Sequence, residues 1–258
     1  MNDNEGIRRR VEKGKRLRVS PGHPVWKSSS VTSIIAHRGA SKVELENTLA
    51  AFRRAVTMGA HAVELDVRRT RDGVLVVHHN PTLADGRVIA QCDHRDLPDH
   101  VPTLDEALDA CHPLWVNVEI KNDSSEPDFD PTDTIADDTI AVLARRAEGD
   151  RAWLISSFRR ETIDRCRALR PTIRTAWLTV TIEPDAISSV VNDLAATGHT
   201  ALHPWHGTLT RDLIQRCHAV GLDVNTWTCD DPERMTELMV WEIDGICTNL
   251  PDVGLTRL

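Results

Sequence analysis

Apolar positions along this chain switch repeatedly between two spacings. Val31 to Ala36, Ala62 to Val67 and Trp115 to Ile120 are short apolar runs, the pattern of strands with little solvent on either face. Between the first two, Leu49, Phe52 and Val56 recur three and four residues apart, which predicts a helix from Leu45 to Met58 with Gly59 as its stop. In the segment PTLDEALDA at 102–110, Thr103 is followed three residues later by Glu106, a capping box that opens a short helix. An acidic, Pro-containing loop at 122–133 leads to a helix at 133–146. From Ala152 the alternation is regular. Strands are expected at Ala152–Ile155, Arg174–Leu178, Ala201–Trp205, Leu222–Thr226 and Gly245–Cys247. Helices are expected at Arg159–Leu169, Pro184–Ala196, Arg211–Val220 and Pro232–Val240, with a clipped last one at 252–258.

One apolar segment breaks the rhythm. Val74 to Val77 is strand-like, but too few residues separate it from Val67 for a parallel crossover, which needs about a dozen. Asp72-Gly73 is a turn pair, so the segment is expected as an antiparallel arm folding back over the sheet and carrying His79 toward Glu64 and Asp66. Without it there are eight strands, each followed by a helix. That count predicts an α/β fold, a TIM-like (β/α)8 barrel with a β-hairpin insertion after the second strand; an open doubly wound sheet is the alternative.

The length of 258 residues suits one such barrel, expected over 31–258. Residues 1–30 are polar and lack apolar periodicity, and RRRVEKGKRLR at 8–18 carries seven basic residues against one acidic. A solvated tail is the preferred reading of that extension; a weak membrane contact or a nucleic-acid contact is the alternative. The formal net charge of −8 argues against general nucleic-acid binding and implies that any phosphate anion is met by local positive charge. Six cysteines without a CxxC pair indicate buried free thiols in a reducing compartment. No apolar run approaches the roughly 20 residues of a membrane span, and no signal peptide is evident, so a cytoplasmic location is expected.

The residues with chemistry cluster at strand ends. Glu64 and Asp66 lie two apart on one strand face, and Glu119 ends the strand expected beside it, with Lys121 on the same side of the alternation. Three converging carboxylates would repel one another, and a hard divalent cation relieves this, so Mg2+ or Ca2+ is expected. His37 follows Ala36 at the end of the first strand, and His79 comes off the arm. Two imidazoles can divide the work of phosphodiester cleavage, one accepting a proton from the attacking hydroxyl and one donating to the leaving oxygen. Arg38 and Lys121 are placed to stabilise charge on the non-bridging oxygens. His78 alternates to the opposite side and is assigned a structural role.

With HRG at 37–39, ENT at 46–48, ELDV at 64–67, DGVLVVHHNPTL at 72–83, VPTLDEAL at 101–108 and VNVEIK at 116–121, the chain resembles the glycerophosphodiester phosphodiesterase family. Weaker matches, SSF at 156–158, NTWT at 225–228 and DGICTNLP at 244–251, extend the resemblance over nearly the whole chain. It implies a TIM-like barrel that hydrolyses glycerophosphodiesters to sn-glycerol 3-phosphate and an alcohol. It also implies catalytic roles for His37 and His79, metal-site roles for Glu64, Asp66 and Glu119, phosphate contacts from Arg38 and Lys121, and a supporting role for Glu46. In the mechanism usually drawn for the family, the glycerol 2-hydroxyl attacks phosphorus to give a cyclic phosphate that water then opens.

Two positions depart from the family pattern. Asn80 follows His79 where Asp is usual, and Asn249 stands where the TD-P ending has Asp. An amide can orient a neighbour but adds no negative charge. Trp177, Trp205 and Trp227 fall near late strand ends, and Trp227 is the best candidate for a substrate wall, able to face a quaternary ammonium or a glycerol backbone. A small phosphodiester is the expected substrate. The alternatives are phospholipase D-like action on a lysophospholipid and a non-catalytic barrel that binds a phosphorylated ligand. A sugar-cleaving barrel, which needs paired carboxylates, fits the two histidines poorly.

Overall fold

The structure, a computed structural model, describes residues 31–258. The readings made for the basic extension at 1–30 lie outside the described residues. Among the described residues, nine strands and eight α-helices follow in this order: β1 Ser33–His37, α1 Leu49–Met58, β2 Ala62–Arg69, β3 Leu75–Val77, α2 Leu104–Cys111, β4 Trp115–Ile120, α3 Thr134–Ala144, β5 Trp153–Ser157 and α4 Arg160–Leu169. There follow β6 Arg174–Thr179, α5 Ile187–Ala196, β7 Ala201–Pro204, α6 Arg211–Ala219, β8 Asp223–Thr226, α7 Pro232–Val240, β9 Gly245–Thr248 and α8 Pro251–Leu255. Eight strands pair in parallel in the order β1-β2-β4-β5-β6-β7-β8-β9, and β9 pairs back to β1, so the sheet closes. This is the expected (β/α)8 barrel with one inserted strand, not an open sheet.

The insertion has a structural reason. β1 ends at His37, opposite Glu64, while β2 runs on to Arg69 and leaves a free edge above the barrel rim. β3 takes that edge antiparallel, Val67 opposite Val77 and Arg69 opposite Leu75. The intervening turn is tied by Thr70 Oγ donating to Asp72 at 2.6 Å and by Gly73 N donating to Thr70 O at 3.0 Å. An edge strand's unpaired backbone groups are thereby satisfied.

Two helix starts differ from the sequence expectation by more than one residue. α1 begins at Leu49 rather than Leu45, because Thr48 caps it by accepting from Ala51 N at 3.3 Å. α5 begins at Ile187, and Pro184 sits in the turn before it rather than in its first turn. The capping box of α2 is present as expected, with Glu106 N donating to Thr103 Oγ and Thr103 N donating to Glu106.

Inside the barrel, the period of two along each strand sorts apolar from polar by layer. Ile35, Ala62, Trp115, Leu154, Ala176, Ala201 and Cys247 pack as an apolar floor. Two residues higher stand His37, Glu64 and Asn117 in register, and above these Asp66 and Glu119 face each other. Outside, Phe52, Ala55, Leu104, Leu108, Ile140 and Leu143 belong to the buried layer between helices and strands on one flank. Leu194, Leu213, Ile214, Met235 and Leu238 do the same on the other. Among the described residues, no helix is long and apolar enough to cross a membrane. All six cysteines are buried and free.

Candidate active site

A cleft of about 540 Å3, its open mouth included, lies at the carboxyl ends of the strands. His37, Arg38, Glu64, His79, Glu119, Lys121, Phe158 and Trp227 are among its lining residues. This is the end of the barrel where loop-borne side chains from different strands can converge.

At the end of β1 the backbone turns sharply through Arg38 (φ 55°) and Gly39 (φ 82°), both left-handed. A Cβ at Gly39 would sit 2.6 Å from Ala51 C and 2.7 Å from Ala51 Cβ, so only glycine lets this turn press against α1. The turn aims Arg38 N at Glu64 Oε2, 2.9 Å away. The Arg38 guanidinium donates to both Glu46 oxygens at 2.9 and 3.0 Å, and its Nε is ion-paired with Asp66 Oδ2 at 3.2 Å. Asn47, also left-handed (φ 56°), donates its amide to Asp66 Oδ2 at 2.8 Å.

Glu64, Asp66 and Glu119 each offer a carboxylate oxygen within 4.8 Å of the other two, and all three side chains are buried. Lys121 Nζ donates to Glu119 Oε1 at 2.8 Å and lies 3.7 Å from Asp66 Oδ1. The electrostatics divide the three acids. Burial, then the neighbouring Asp66 and Glu119, holds the Glu64 carboxyl well above its usual range. Glu119 is also raised, by burial, with Lys121 opposing. Asp66 ends below its usual value: burial pushes it up, but Lys121, Arg38, His79 and the Asn47 amide outweigh burial. Glu64 Oε1 is buried and has no hydrogen-bond partner among the described residues. An all-oxygen donor set with one orphaned buried acceptor fits a hard divalent cation, and the cluster is capable of coordinating one.

The two histidines stand at the mouth of the cleft. His37 Nε2 lies 3.9 Å from Glu64 Oε2 and 3.4 Å from Thr228 Oγ, and its Nδ1 is 2.7 Å from Asn249 Oδ1. Burial, reinforced by Arg38, lowers its pKa. His79 has Nδ1 2.9 Å from Asn80 Oδ1, and burial lowers its pKa as well, with Asp66 opposing. Both positions that depart from the family pattern therefore carry the Nδ1 partner of a cleft histidine. His78 faces elsewhere, with Nδ1 2.8 Å from Asn80 O, while its backbone N donates to Asp66 O.

Trp227 lines the cleft and meets Phe158 edge-on at 5.2 Å between ring centroids. Its indole Nε1 donates to His203 O at 2.8 Å, which fixes the ring. Trp177 packs on the apolar flank and donates to Phe158 O, and Trp205 lies against His206 at the rim. Neither lines the cleft. Sequence reasoning assigned no role to Phe158, although its place just after β5 was a usable signal. It also passed over Asn117, His203 and Asn225, which point inward by the alternation of β4, β7 and β8. Asp230, which holds Asn249, had no signal in sequence, since the contact joins two loops.

Comparison with known proteins agrees with this geometry. A glycerophosphodiester phosphodiesterase of Caldanaerobacter subterraneus subsp. tengcongensis is 29% identical over 251 residues, covering 88% of this chain and 98% of that protein. The crystal structure of a glycerophosphodiester phosphodiesterase from Thermotoga maritima superposes with a TM-score of 0.74 at 25% identity, covering 88% of this chain and 98% of that one. One from Parabacteroides distasonis gives the same TM-score, 0.74, at 25% identity over 87% and 95% of the two chains. Residues 37–253 match the glycerophosphoryl diester phosphodiesterase family, a span that holds the cleft residues from His37 to Asn249, and the chain belongs to that family.

Proposed function

We propose that the protein hydrolyses glycerophosphodiesters to sn-glycerol 3-phosphate and an alcohol, with a divalent metal held by Glu64, Asp66 and Glu119. The observation that carries this reading is the juxtaposition of two histidines with a buried three-carboxylate cluster in one cleft. Family membership supports it. A bound Mg2+ or Ca2+ would supply charge stabilisation to the phosphate oxygens.

The chain's own groups account for binding and proton movement. Arg38 and Lys121, both beside the acidic cluster, bind the phosphate, and Glu46 orients the Arg38 guanidinium. One imidazole of the pair His37 and His79 takes the proton from the glycerol 2-hydroxyl as that oxygen bonds to phosphorus. The other gives its proton to the alcohol oxygen as the P–O bond breaks, leaving a cyclic phosphate. Water then opens the ring with the two roles reversed. Both imidazoles have pKa values lowered by burial, so the lone pair of an acceptor is available at neutral pH. Trp227 and Phe158 form the apolar wall against which glycerol or the alcohol rests. The buried free thiols suit a reducing compartment and support a cytoplasmic place.

The test is release of glycerol 3-phosphate from glycerophosphocholine and glycerophosphoethanolamine, with added Mg2+ or Ca2+ and with EDTA, in the wild type, His37→Ala and His79→Ala. Metal-dependent release, lost in both variants, is expected. Turnover of a lysophospholipid alone would move the substrate to lipid. No turnover of any diester, with phosphate still bound, would favour the binding-only barrel.

A further inference from the structure

Asn249 stands between two groups that cannot both be indifferent to which way its amide points. Its Nδ2 is 2.8 Å from Asp230 Oδ2, and its Oδ1 is 2.7 Å from His37 Nδ1. The two ends of an amide are distinguished by their partners rather than by shape. A carboxylate only accepts, so the end facing Asp230 is the NH2. The end facing His37 is then the carbonyl, which also only accepts, and His37 Nδ1 must carry the proton. Asp230 is itself held in place: Oδ1 accepts from Asn249 N at 2.8 Å and from Thr248 Oγ at 2.9 Å. Ser41 Oγ lies 2.8 Å from Asn249 Oδ1, but a hydroxyl can donate or accept and does not decide the orientation.

We propose that Asp230 is a positioning residue for His37: through the Asn249 amide it fixes the imidazole as the Nδ1–H tautomer, with the Nε2 lone pair facing the cleft. This rests on the proposed function for its catalytic meaning, but the tautomer is a property of the chain alone. The geometry on the other side of the cleft differs. His79 Nδ1 faces Asn80 Oδ1 at 2.9 Å, and among the described residues no group accepts from the Asn80 amide nitrogen, so its orientation has no such anchor. One histidine is thus locked by a carboxylate set one residue back, and the other is not. A carboxylate placed at this remove determines which nitrogen bears the proton without itself touching the ring.

Asp230→Asn removes the constraint. With an amide at 230, the Asn249 side chain can turn over, present its NH2 to His37 and favour the Nε2–H tautomer, which blocks the reactive nitrogen. The double exchange Asp230→Asn/Asn249→Asp restores a group at 249 that accepts from Nδ1–H, now held by an amide. Asn249→Ala leaves the bonds of Asp230 to Thr248 Oγ and the 249 backbone intact and covers the case in which Asp230→Asn fails to fold.

Two readouts decide. The first is the ring-nitrogen NMR of the Mg2+-loaded protein, with the His37 signals assigned by difference from His37→Ala. The wild type is expected as Nδ1–H, Asp230→Asn and Asn249→Ala as mixed or Nε2–H, and the double exchange as Nδ1–H again. The second is steady-state kinetics on a glycerophosphodiester, where a wrong tautomer lowers kcat by about 10- to 100-fold with KM nearly unchanged, and the double exchange recovers kcat. A wild-type tautomer in folded Asp230→Asn, or in Asn249→Ala should Asp230→Asn not fold, would overturn the inference. A wild type that turns over no diester, yet shows the tautomer changes, would leave the inference standing and remove the proposed function instead.

Discussion

Arg68 is fully buried and holds the backbone of His79: its Nε donates to His79 O at 2.8 Å. The same guanidinium donates to Asp128 Oδ2 at 2.6 Å and to Glu126 Oε2 at 2.9 Å. Arg68 lies on the part of β2 that projects above the barrel, so it connects the β3 arm to the acidic loop after β4. The arm brings His79 to the cleft, and Arg68 keeps it there.

Replacing Arg68 with Ala should therefore act on both stability and turnover. It leaves Asp128 as a buried, unpaired carboxylate, and breaking a buried pair in this way costs about 3–5 kcal/mol. Arg68→Lys keeps the charge but cannot serve the carbonyl and two carboxylates from one planar fork, so an intermediate loss is expected. Urea unfolding measures the first effect and kcat the second. An Arg68→Ala protein with wild-type unfolding midpoint and kcat would show that the arm is held by other contacts.

The acidic cluster predicts how metal and pH combine. In the metal-free protein the folded Glu64 carboxyl binds its proton more tightly than in the unfolded chain. The folded state is therefore favoured at acid pH and loses that advantage as pH rises through the raised value. A bound cation reverses the penalty. Adding Mg2+ or Ca2+ at about 100 times its pH 8 Kd should raise unfolding free energy by about 2.7 kcal/mol at pH 8, and the same concentration by less at pH 5. Glu64→Gln should abolish that response and, without metal, be more stable than wild type at pH 8. Calorimetry at the two pH values checks this; an equal metal response at both would contradict it.

What the sequence made legible and what it hid follow from the range of the interactions involved. Strand β4 was bounded correctly at Trp115–Ile120 and helix α7 at Pro232–Val240, because local apolar patterning and a Pro at the helix start define them. The antiparallel placement of β3 followed from a link to β2 too short to cross over and from the Asp72-Gly73 turn pair within it. The convergence of Glu64, Asp66 and Glu119 was accessible from the two-residue alternation on adjacent strands. Hidden were the contacts made between loops. Asn249 was visible only as a departure from a motif, and nothing local linked it to His37, 212 positions away, or to Asp230. Asn47 as the amide partner of Asp66 and Arg68 as the clamp on His79 were hidden for the same reason.

Asn80 gives a direct test of the second departure. It presents a neutral oxygen to His79 Nδ1, so the protonated imidazole receives no charge from it. Asn80→Asp places a carboxylate there, which favours the imidazolium and should raise the His79 pKa. Whichever limb of the pH–rate profile belongs to His79 then moves to higher pH. If His79 accepts the proton first, activity is lost at the acid side; if it donates first, activity is gained at the alkaline side. The profile of kcat/KM distinguishes these, and unchanged limbs would mean that His79 does not titrate in turnover.

His203 sets an acid limit on the fold. Its ring is buried beneath the cleft, with Nε2 accepting from Asn225 Nδ2 at 2.9 Å. Burial, with Arg174 adding to it, pushes its pKa down to about 3 from the ordinary 6.5. Below pH 6.5 the unfolded chain takes up a proton at this site that the folded chain refuses, so stability is intact above 6.5 and falls as pH drops toward 3. The loss approaches about 1.4 kcal/mol per pH unit, the value for one proton. His203→Gln keeps an acceptor for Asn225 and does not titrate. Its unfolding free energy should fall less steeply than the wild type's between pH 6 and about 4, by up to that one-proton slope. Urea unfolding at a series of pH values measures the difference, and parallel slopes would show that another group governs acid unfolding.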